Sequence, residues 1–353
     1  MKRFLAVPFA VAALSLFASV PSPREMRGPF PILSVPYEED GAVDYDALSR
    51  EVKWTDEWGC PGVIWCQSND SVDLLSTGEK FKGMETCAKA AEGLPIVLAI
   101  GANGTNATEM LDIAAEIERV AARHPRTKIA MVSRPPDDVR DEAALESAWD
   151  ALGRVAKRPV IFQTYCSDDT PTPSVEMMAR LAERHPHAFG YIKEEAAGNS
   201  ANERMLRETA LKPCVKTVFS GWGGWQWLYQ LRECGSEGLI TERCAYAPVL
   251  GEIWRRYERG ERGASLAEAF AMYRLLIDQR NFPAGLRGYS LYLLVKEGVF
   301  ENLVSRQYAN AKVTEGGSFG SGREWKLETV ELSDGQKREL DRLLDDMKAF
   351  VGR

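Results

Sequence analysis

The stretch 95-PIVLAIGANGTNATEMLDIAAEIERVAAR-123 contains the unit from which the fold is built. Its first six residues, Pro95–Ile100, form a short uncharged run that predicts a buried strand. Between Thr105 and Arg123, apolar residues return at helical spacing, which predicts a helix with one apolar face. That face carries Leu111, Ala114, Ala115 and Ile117. A strand that leads through a loop into a helix is half of a parallel crossover, so the stretch predicts an α/β fold.

The same unit recurs along most of the chain. The predicted strands are Ile32–Val35, Gly62–Cys66, Pro95–Ile100, Lys128–Val132, Pro159–Thr164, Phe189–Lys193, Lys216–Ser220 and Gly238–Thr241. An amphipathic run follows each of the first seven strands, and further helical runs follow the eighth. Eight such units favour a closed (β/α)8 TIM barrel over an open sheet.

Three segments organise the chain around this barrel. Residues 1–25 resemble a leader, residues 26–246 form the predicted barrel, and residues 247–353 form a predicted C-terminal helical extension. Within the extension, a polar glycine-rich stretch at 315–323 precedes a last helix, Ser333–Phe350. The fold class is therefore α/β, a TIM barrel with additional C-terminal helices.

Composition narrows the classes of function. The chain has 353 residues, of which 45% are hydrophobic and 27% charged, as in ordinary soluble globular proteins. A net charge of -7 argues against a nucleic-acid partner. Seven cysteines, with no pair at CxxC spacing, and only three histidines argue against a metal site. We therefore predict no metal site.

The N-terminal segment allows two interpretations. Lys2 and Arg3 precede an uncharged run from Phe4 to Pro23, which is typical of a signal peptide. Its cleavage site is poor, because Val20 stands where a small residue is preferred, so translation from Met26 is the alternative. An odd number of unpaired cysteines favours a reducing compartment, so we expect a cytoplasmic location, with export as the alternative. Because Pro8 interrupts the run, no stable membrane span is expected.

A lysine ends the sixth predicted strand. Side chains alternate along a strand, so Tyr191, Lys193 and Glu195 share one face. If that face lines the barrel, desolvation favours the neutral amine of Lys193, which can attack a ketone. An ion pair of Lys193 with Glu194 or Glu195, with no chemical role, explains the same residues.

Five segments carry a resemblance to a known family. They are PILSVPYEEDGAVDYDAL (31–48), NGTNATEMLDIAAEIE (103–118), YIKEEAAGN (191–199), VFSGWGG (218–224) and EGLITERCAYAP (237–248). In order and spacing they resemble the dihydrodipicolinate synthase / N-acetylneuraminate lyase family of class I aldolases. The resemblance extends from the first predicted strand into the C-terminal extension.

The resemblance implies a chemistry and a set of residues. Lys193 matches the lysine that forms an imine with pyruvate or another 2-oxo acid. The protonated imine acts as the electron sink, so the resemblance implies that no metal or organic cofactor is needed. Gln67 and Ser68 match the segment that holds the carboxylate, and Ile240 lies in the matching eighth-strand segment beside the substrate. Arg134 offers a charge suited to an acidic or sugar-acid substrate. The resemblance further implies a homo-oligomer, either a dimer or a tetramer.

One departure from the family concerns proton transfer. The family places a proton-relaying tyrosine on strand 5, and the alignment puts Phe162 at that position. Since phenylalanine cannot transfer a proton, Tyr165 and Glu195 are the candidate catalytic residues beside Lys193, with Tyr191 as a further possibility. The arginine and the strand 4 aromatic residue of a dihydrodipicolinate synthase are also absent, which favours a sugar-acid substrate.

Several functions remain open at this point. The leading hypothesis is a class I aldolase or lyase that acts on a 2-oxo sugar acid, with pyruvate and an aldehyde or sugar acid as its small-molecule partners. A dihydrodipicolinate synthase or related dehydratase is the nearest enzyme alternative, and a non-catalytic 2-oxo acid binding barrel is another class. A hydrolytic barrel is also open, in which Glu195 and Glu242 would stand about 5–5.5 Å or 6.5–9.5 Å apart.

Overall fold

The computed structural model describes most of the chain. The described residues are 19–67, 72–165, 170–196, 200–241, 243–278, 285–309 and 322–352. Most of the leader-like segment, residues 1–18, lies outside them. No helix within the described ranges is both long and apolar enough to cross a membrane.

Eight parallel strands form one sheet, which confirms the predicted TIM barrel. The strands are β1 (Gly28–Pro31), β2 (Gly62–Trp65), β3 (Val97–Gly101), β4 (Lys128–Ser133), β5 (Val160–Gln163), β6 (Tyr191–Glu194), β7 (Thr217–Ser220) and β8 (Gly238–Thr241). Their order is β1-β8-β7-β6-β5-β4-β3-β2. An isolated parallel bridge between Ile32 and Ile64 brings β1 to β2, so the eight strands form a barrel.

The first strand begins earlier than the predicted Ile32–Val35. Gly28 and Ile32 donate backbone hydrogen bonds to the carbonyls of Glu237 and Thr241 at either end of β8. Pro29 and Pro31 occupy the alternate positions, whose nitrogens have no hydrogen to donate. A GPFP segment therefore serves as a strand because pairing with β8 does not require its prolines to donate.

Helices between the strands cover the outside of the barrel. They are α1 (Tyr45–Glu57), α2 (Thr77–Ala90), α3 (Ala107–Arg123), α4 (Glu142–Val155), α5 (Val175–Arg184), α6 (Ser200–Thr209) and α7 (Trp227–Glu233). The first five begin after polar caps whose side chains accept a backbone N–H, namely Asp44, Ser76, Asn106, Asp141 and Ser174. Each cap lies at the end of a loop that follows a strand. The caps therefore lie on the face of the barrel where the strands end, which we call the mouth.

Strand side chains separate into two layers. An interior cluster includes Phe30, Ile32, Ile64, Val97, Ala99, Ala130, Val132, Ile161, Tyr191, Phe219 and Ile240. Neighbouring residues such as Phe162, Ile192 and Val218 belong instead to the cluster that packs beneath the helices. The period of two that defines a strand therefore decides which residues can reach the mouth from inside.

The described residues after 246 add four helices and one hairpin. The helices are α8 (Ala247–Glu258), α9 (Ala264–Asp278), α10 (Gly285–Lys296) and α11 (Asp334–Val351), and the antiparallel hairpin pairs β9 (Val304–Tyr308) with β10 (Trp325–Thr329). The hairpin was not predicted from the sequence. Arg306 on β9 pairs with Glu79 at 2.6 Å and lies over the rings of Tyr37 and Trp325. The hairpin thus packs against the segments that follow β1 and β2 at the mouth.

Candidate active site

Lys193 lies inside the barrel at its mouth. It occupies β6 two residues after Tyr191, which belongs to the interior cluster, so its side chain shares the interior face. Its side chain is only 6% exposed, and its Nζ lies 3.0 Å from Oε1 of Glu195. The structure therefore combines both interpretations of this lysine, since it is buried in the barrel and also ion-paired.

Glu195 is held from three sides. Besides Lys193, its Oε2 accepts a hydrogen bond from Nε2 of Gln163 at 2.7 Å, and its Oε1 accepts one from the backbone N–H of Trp222 at 3.0 Å. A Cβ placed on Gly221 would lie 2.0 Å from Cγ of Glu195, so only glycine leaves room for this carboxylate. Its surroundings fix the carboxylate in one position beside the amine.

A second buried amide extends this network. Nε2 of Gln67, just after β2, donates to Oε1 of Gln163 at 2.7 Å. Gln67 and Gln163 are both almost fully buried. Gln67, Gln163, Glu195 and Lys193 thus form a continuous polar chain across the mouth, which we call the mouth network. Sequence reasoning missed Gln163, although a lone amide in the apolar strand PVIFQT was a usable signal.

Backbone strain occurs on both sides of this network. Cys66 has φ 61° and Trp222 has φ 50°, and no other non-glycine residue in the described ranges has a positive φ. Non-glycine residues avoid this left-handed region, and where they adopt it the strain often accompanies a functional site. Here Cys66 directly precedes Gln67, and Trp222 presents its N–H to Glu195.

Phe162 does not face the site. Its ring stacks on Trp149 of α4, with centroids 4.3 Å apart, and packs against Phe189 at 4.4 Å. In the ladder between β5 and β6, Gln163 pairs with Lys193, whereas Phe162 pairs with Ile192. Phe162 therefore packs beneath the helices, and Gln163 is the inward residue level with the lysine.

Arg134, Tyr165 and Trp222 form a rim above the network. The guanidinium of Arg134 lies 5.8 Å from the ring centroid of Tyr165, and the Tyr165 and Trp222 rings meet edge to face at 5.8 Å. Arg134 is buried and ion-paired with Asp137 at 2.8 Å. Trp222 is 48% exposed, so the rim offers a partly open aromatic surface.

The other predicted residues are placed as follows. Ile240 on β8 is buried in the interior cluster. Ser68 lies outside the described residues, as does Glu242, so the carboxylate pair of the hydrolytic alternative has no measured separation. Where the structure describes the chain, no group of three His, Cys, Asp or Glu side chains could hold a metal ion.

Glu194 faces away from Lys193. Its Oε1 accepts from Oγ1 of Thr164 at 3.0 Å, and its Oε2 lies 3.1 Å from Nε of Arg204 on α6. Behind it, burial and the nearby Glu194 raise the pKa of Glu208 well above the usual range of a carboxyl group. Since Glu194 is engaged with Arg204, Glu195 alone of the two glutamates pairs with Lys193.

The chain is similar in sequence to known proteins. No family model matches it. The chain is 27% identical over 165 residues to the 4-hydroxy-tetrahydrodipicolinate synthase of Rhizobium meliloti, which is 46% of this chain and 54% of that protein. It is 25% identical over 226 residues to the enzyme of the same name from Neisseria gonorrhoeae, which is 64% of this chain and 73% of that protein. The chain thus spans about half to three quarters of the length of these relatives.

A solved structure shows the same fold. The sialic acid aldolase of Ruminococcus gnavus superposes with a TM-score of 0.71 and 15% identity, over 92% of this chain and 99% of the aldolase. The fold is a (β/α)8 barrel with a buried lysine at its mouth. The chain is similar in sequence to proteins named 4-hydroxy-tetrahydrodipicolinate synthase, and its barrel has the fold of the sialic acid aldolase.

Proposed function

We propose that the protein is a class I aldolase or lyase that makes or breaks a carbon–carbon bond of a 2-oxo sugar acid, with Lys193 as the imine-forming residue. The observation that carries this proposal is the buried Lys193–Glu195 pair at the mouth of the barrel. Chemistry in this fold occurs at the mouth, where strand ends bring side chains together.

The pair contains every proton that imine formation needs. Glu195 takes one proton from the Lys193 ammonium, and the free amine attacks the C2 carbonyl of the 2-oxo acid. A second nitrogen proton moves to the carbinol oxygen, and Glu195 returns the first, so that water leaves as the C=N bond forms. The positive charge of the original ammonium remains on the iminium nitrogen. Nζ of Lys193 lies 3.0 Å from Oε1 of Glu195, so this carboxylate can balance the charge.

The iminium then accepts an electron pair. In the cleavage direction, Glu195 removes the proton of the C4 hydroxyl, the C3–C4 bond breaks, an aldehyde leaves, and the electrons form the enamine. Glu195 then delivers that proton to C3, and in the condensation direction it removes a C3 proton and delivers it to the new C4 hydroxyl. We assign this step to Glu195 because it is the carboxylate in contact with the lysine, and such assistance is typically worth roughly 10²–10⁴ in rate.

The rim supports a polar distal half of the substrate. Tyr165 and Trp222 offer aromatic faces, and Arg134 adds a buried positive charge beside Tyr165. Arg134 already pairs with Asp137, so we do not assign it a free anion site. We assign it instead to orienting the substrate hydroxyl groups and to assisting in binding the substrate carboxylate. At the other side of the network, Gln67 is assigned to the carboxylate of the 2-oxo acid, and the resemblance to the family adds Ser68, which follows Gln67 in the sequence.

Trapping with borohydride tests the nucleophile. The protein is incubated with pyruvate, reduced, digested and mapped by peptide mass, alongside the variants Lys193→Ala and Lys216→Met. Lys216 is a matched control because it is also partly buried, lies over the ring of Tyr191 and directly precedes β7, the strand next to β6. We expect the adduct on Lys193 in the parent and in Lys216→Met, and none in Lys193→Ala.

Two alternatives give different results. Dihydrodipicolinate synthase activity is favoured by the names of both relatives and requires condensation of pyruvate with aspartate semialdehyde, which a coupled assay measures. A binding barrel would raise its melting temperature with a 2-oxo acid but form no adduct on Lys193. An adduct with turnover of sugar acids but not of aspartate semialdehyde supports the proposed function.

We also propose a cytoplasmic homo-oligomer, either a dimer or a tetramer. The six cysteines in the described ranges are all free thiols, which suits a reducing compartment. Light scattering after size-exclusion chromatography measures the subunit number, and fractionation of expressing cells measures the location. A monomer, or a processed protein found outside the cytoplasm, would contradict the respective statement.

A further inference from the structure

The mouth network contains a residue that touches the proton-transfer group without touching the lysine. Gln163 donates from Nε2 to Oε2 of Glu195 and accepts at Oε1 from Nε2 of Gln67, both at 2.7 Å. All three side chains are almost fully buried. Hydrogen bonds in such a setting are costly to leave unmade, so the network holds its members in place.

Donor and acceptor chemistry fixes the direction of this network. An ionised carboxylate only accepts hydrogen bonds, so Gln163 must turn its NH2 group toward Glu195. Its carbonyl oxygen then points toward Gln67 and requires a donor there, which fixes the amide of Gln67 as well. Gln163 is thereby locked as a donor to Oε2, while Oε1 stays beside the amine of Lys193.

We propose that Gln163 is the positioning residue for proton transfer: it donates to Oε2 of Glu195 so that Oε1 stays aimed at the atoms bonded to the Lys193 nitrogen. This inference rests on the proposed function. Without the donor, the carboxylate can rotate or pair symmetrically with the ammonium. Gln163 also links Glu195, and through it Lys193, to Gln67, which we assign to the substrate carboxylate.

The proposal separates two steps of one reaction. Imine formation depends on Lys193, whereas exchange of the C3 hydrogens depends on Glu195 being correctly aimed. In exchange, Glu195 takes a proton from C3 of the iminium, and the C–H electrons form the enamine double bond. Its carboxyl group then trades that proton for deuterium from solvent and returns the deuterium to C3.

The experiment measures both steps in the full-length protein. Imine formation is followed by borohydride trapping of pyruvate, and exchange by loss of the pyruvate methyl signal in D2O at pH 8. The variants are Gln163→Leu and Gln163→Met. The second keeps the length of the unbranched side chain and adds no charge, but it has no N–H to donate to Glu195. Gln230→Leu is the control, since it removes a buried amide on α7 that bonds only to Asn202 among the contacts described.

We expect both Gln163 variants to trap pyruvate on Lys193 while their exchange rates fall about 10–100-fold, the range for losing a hydrogen bond to a charged group. Gln230→Leu should match the parent in both measurements. If Gln163→Met exchanges at the parent rate, the residue only fills space and the proposal is overturned. Gln163→Met also decides the matter if Gln163→Leu yields no folded protein. A parent protein that forms no adduct at all would instead refute the proposed function, and this inference with it.

Discussion

The substitution Glu195→Gln is the sharpest test of the site, because it keeps the shape of the side chain and removes its charge. In the parent, the carboxylate accepts from Gln163, from the N–H of Trp222 and from Lys193. An amide cannot accept at both ends. In either orientation its NH2 group faces a donor, namely Gln163 on one side or Trp222 and the ammonium on the other.

The size of the effect follows from the 3.0 Å separation of the two charges. At an effective dielectric constant of about 20, Coulomb's law gives roughly 5.5 kcal/mol for the pair, before the cost of desolvation is subtracted. Removing one partner of a buried pair typically costs about 3–5 kcal/mol in stability, unless the remaining group loses its charge. Lys193 can do so by releasing a proton, which leaves a neutral nucleophilic amine.

We therefore expect Glu195→Gln to form the imine more slowly than the parent, because the amide cannot carry protons to the leaving water, and to fail in the step that follows. Borohydride should trap pyruvate on Lys193 to an extent similar to the parent, while turnover falls by roughly 10²–10⁴, the usual contribution of a general acid or base. Glu203→Gln on the exposed side of α6 serves as the control and should behave as the parent. Turnover within a few-fold of the parent would refute the assignment of Glu195, and an equal loss of trapping and turnover would mean that the carboxylate acts only by holding the lysine in place.

Three further predictions concern the surroundings of the site. Phe162→Tyr should not raise turnover and should lower the free energy of unfolding by about 1–3 kcal/mol in urea, because its hydroxyl would enter the stacked contact with Trp149. Gly221→Ala should lower turnover with the fold retained, since its methyl group collides with Glu195, whereas Gly78→Ala meets no close neighbour and should be neutral in the same assay. Glu208→Gln should gain stability relative to the parent as the pH rises from 4 to 8. Burial raises the pKa of Glu208, so the folded parent keeps a proton that its unfolded chain releases. The free energy of unfolding of the parent therefore falls by up to about 1.4 kcal/mol per pH unit, whereas that of the variant does not. Glu203→Gln, with an exposed side chain, should show no such trend in melting temperature, and a flat difference for Glu208→Gln would contradict the buried-acid assignment.

The barrel could be predicted from the sequence because its signals are local and repeated. Each strand–helix unit carries an apolar run and an amphipathic run, and five helix starts carry polar caps. The hairpin of β9 and β10 has no such signal, since β10 is exposed along its whole length. What holds it is Arg306, whose partners Glu79 and Tyr37 lie more than two hundred residues earlier in the chain, so only the tertiary structure shows the contact.

The site is harder to predict than the barrel. A shift of one residue along a strand moves a side chain from the barrel interior to the layer beneath the helices. Phe162 and Gln163 are adjacent, yet one packs under α4 and the other bonds to the proton-transfer group. The ladder with β6 settles which is which, since Lys193 faces inward and Gln163 is its partner. A polar residue inside an apolar strand is costly to bury unless something bonds to it. Gln163 is therefore explained by Glu195 and Gln67 together, and neither could be recognised as its partner until the fold brought β2, β5 and β6 to one mouth.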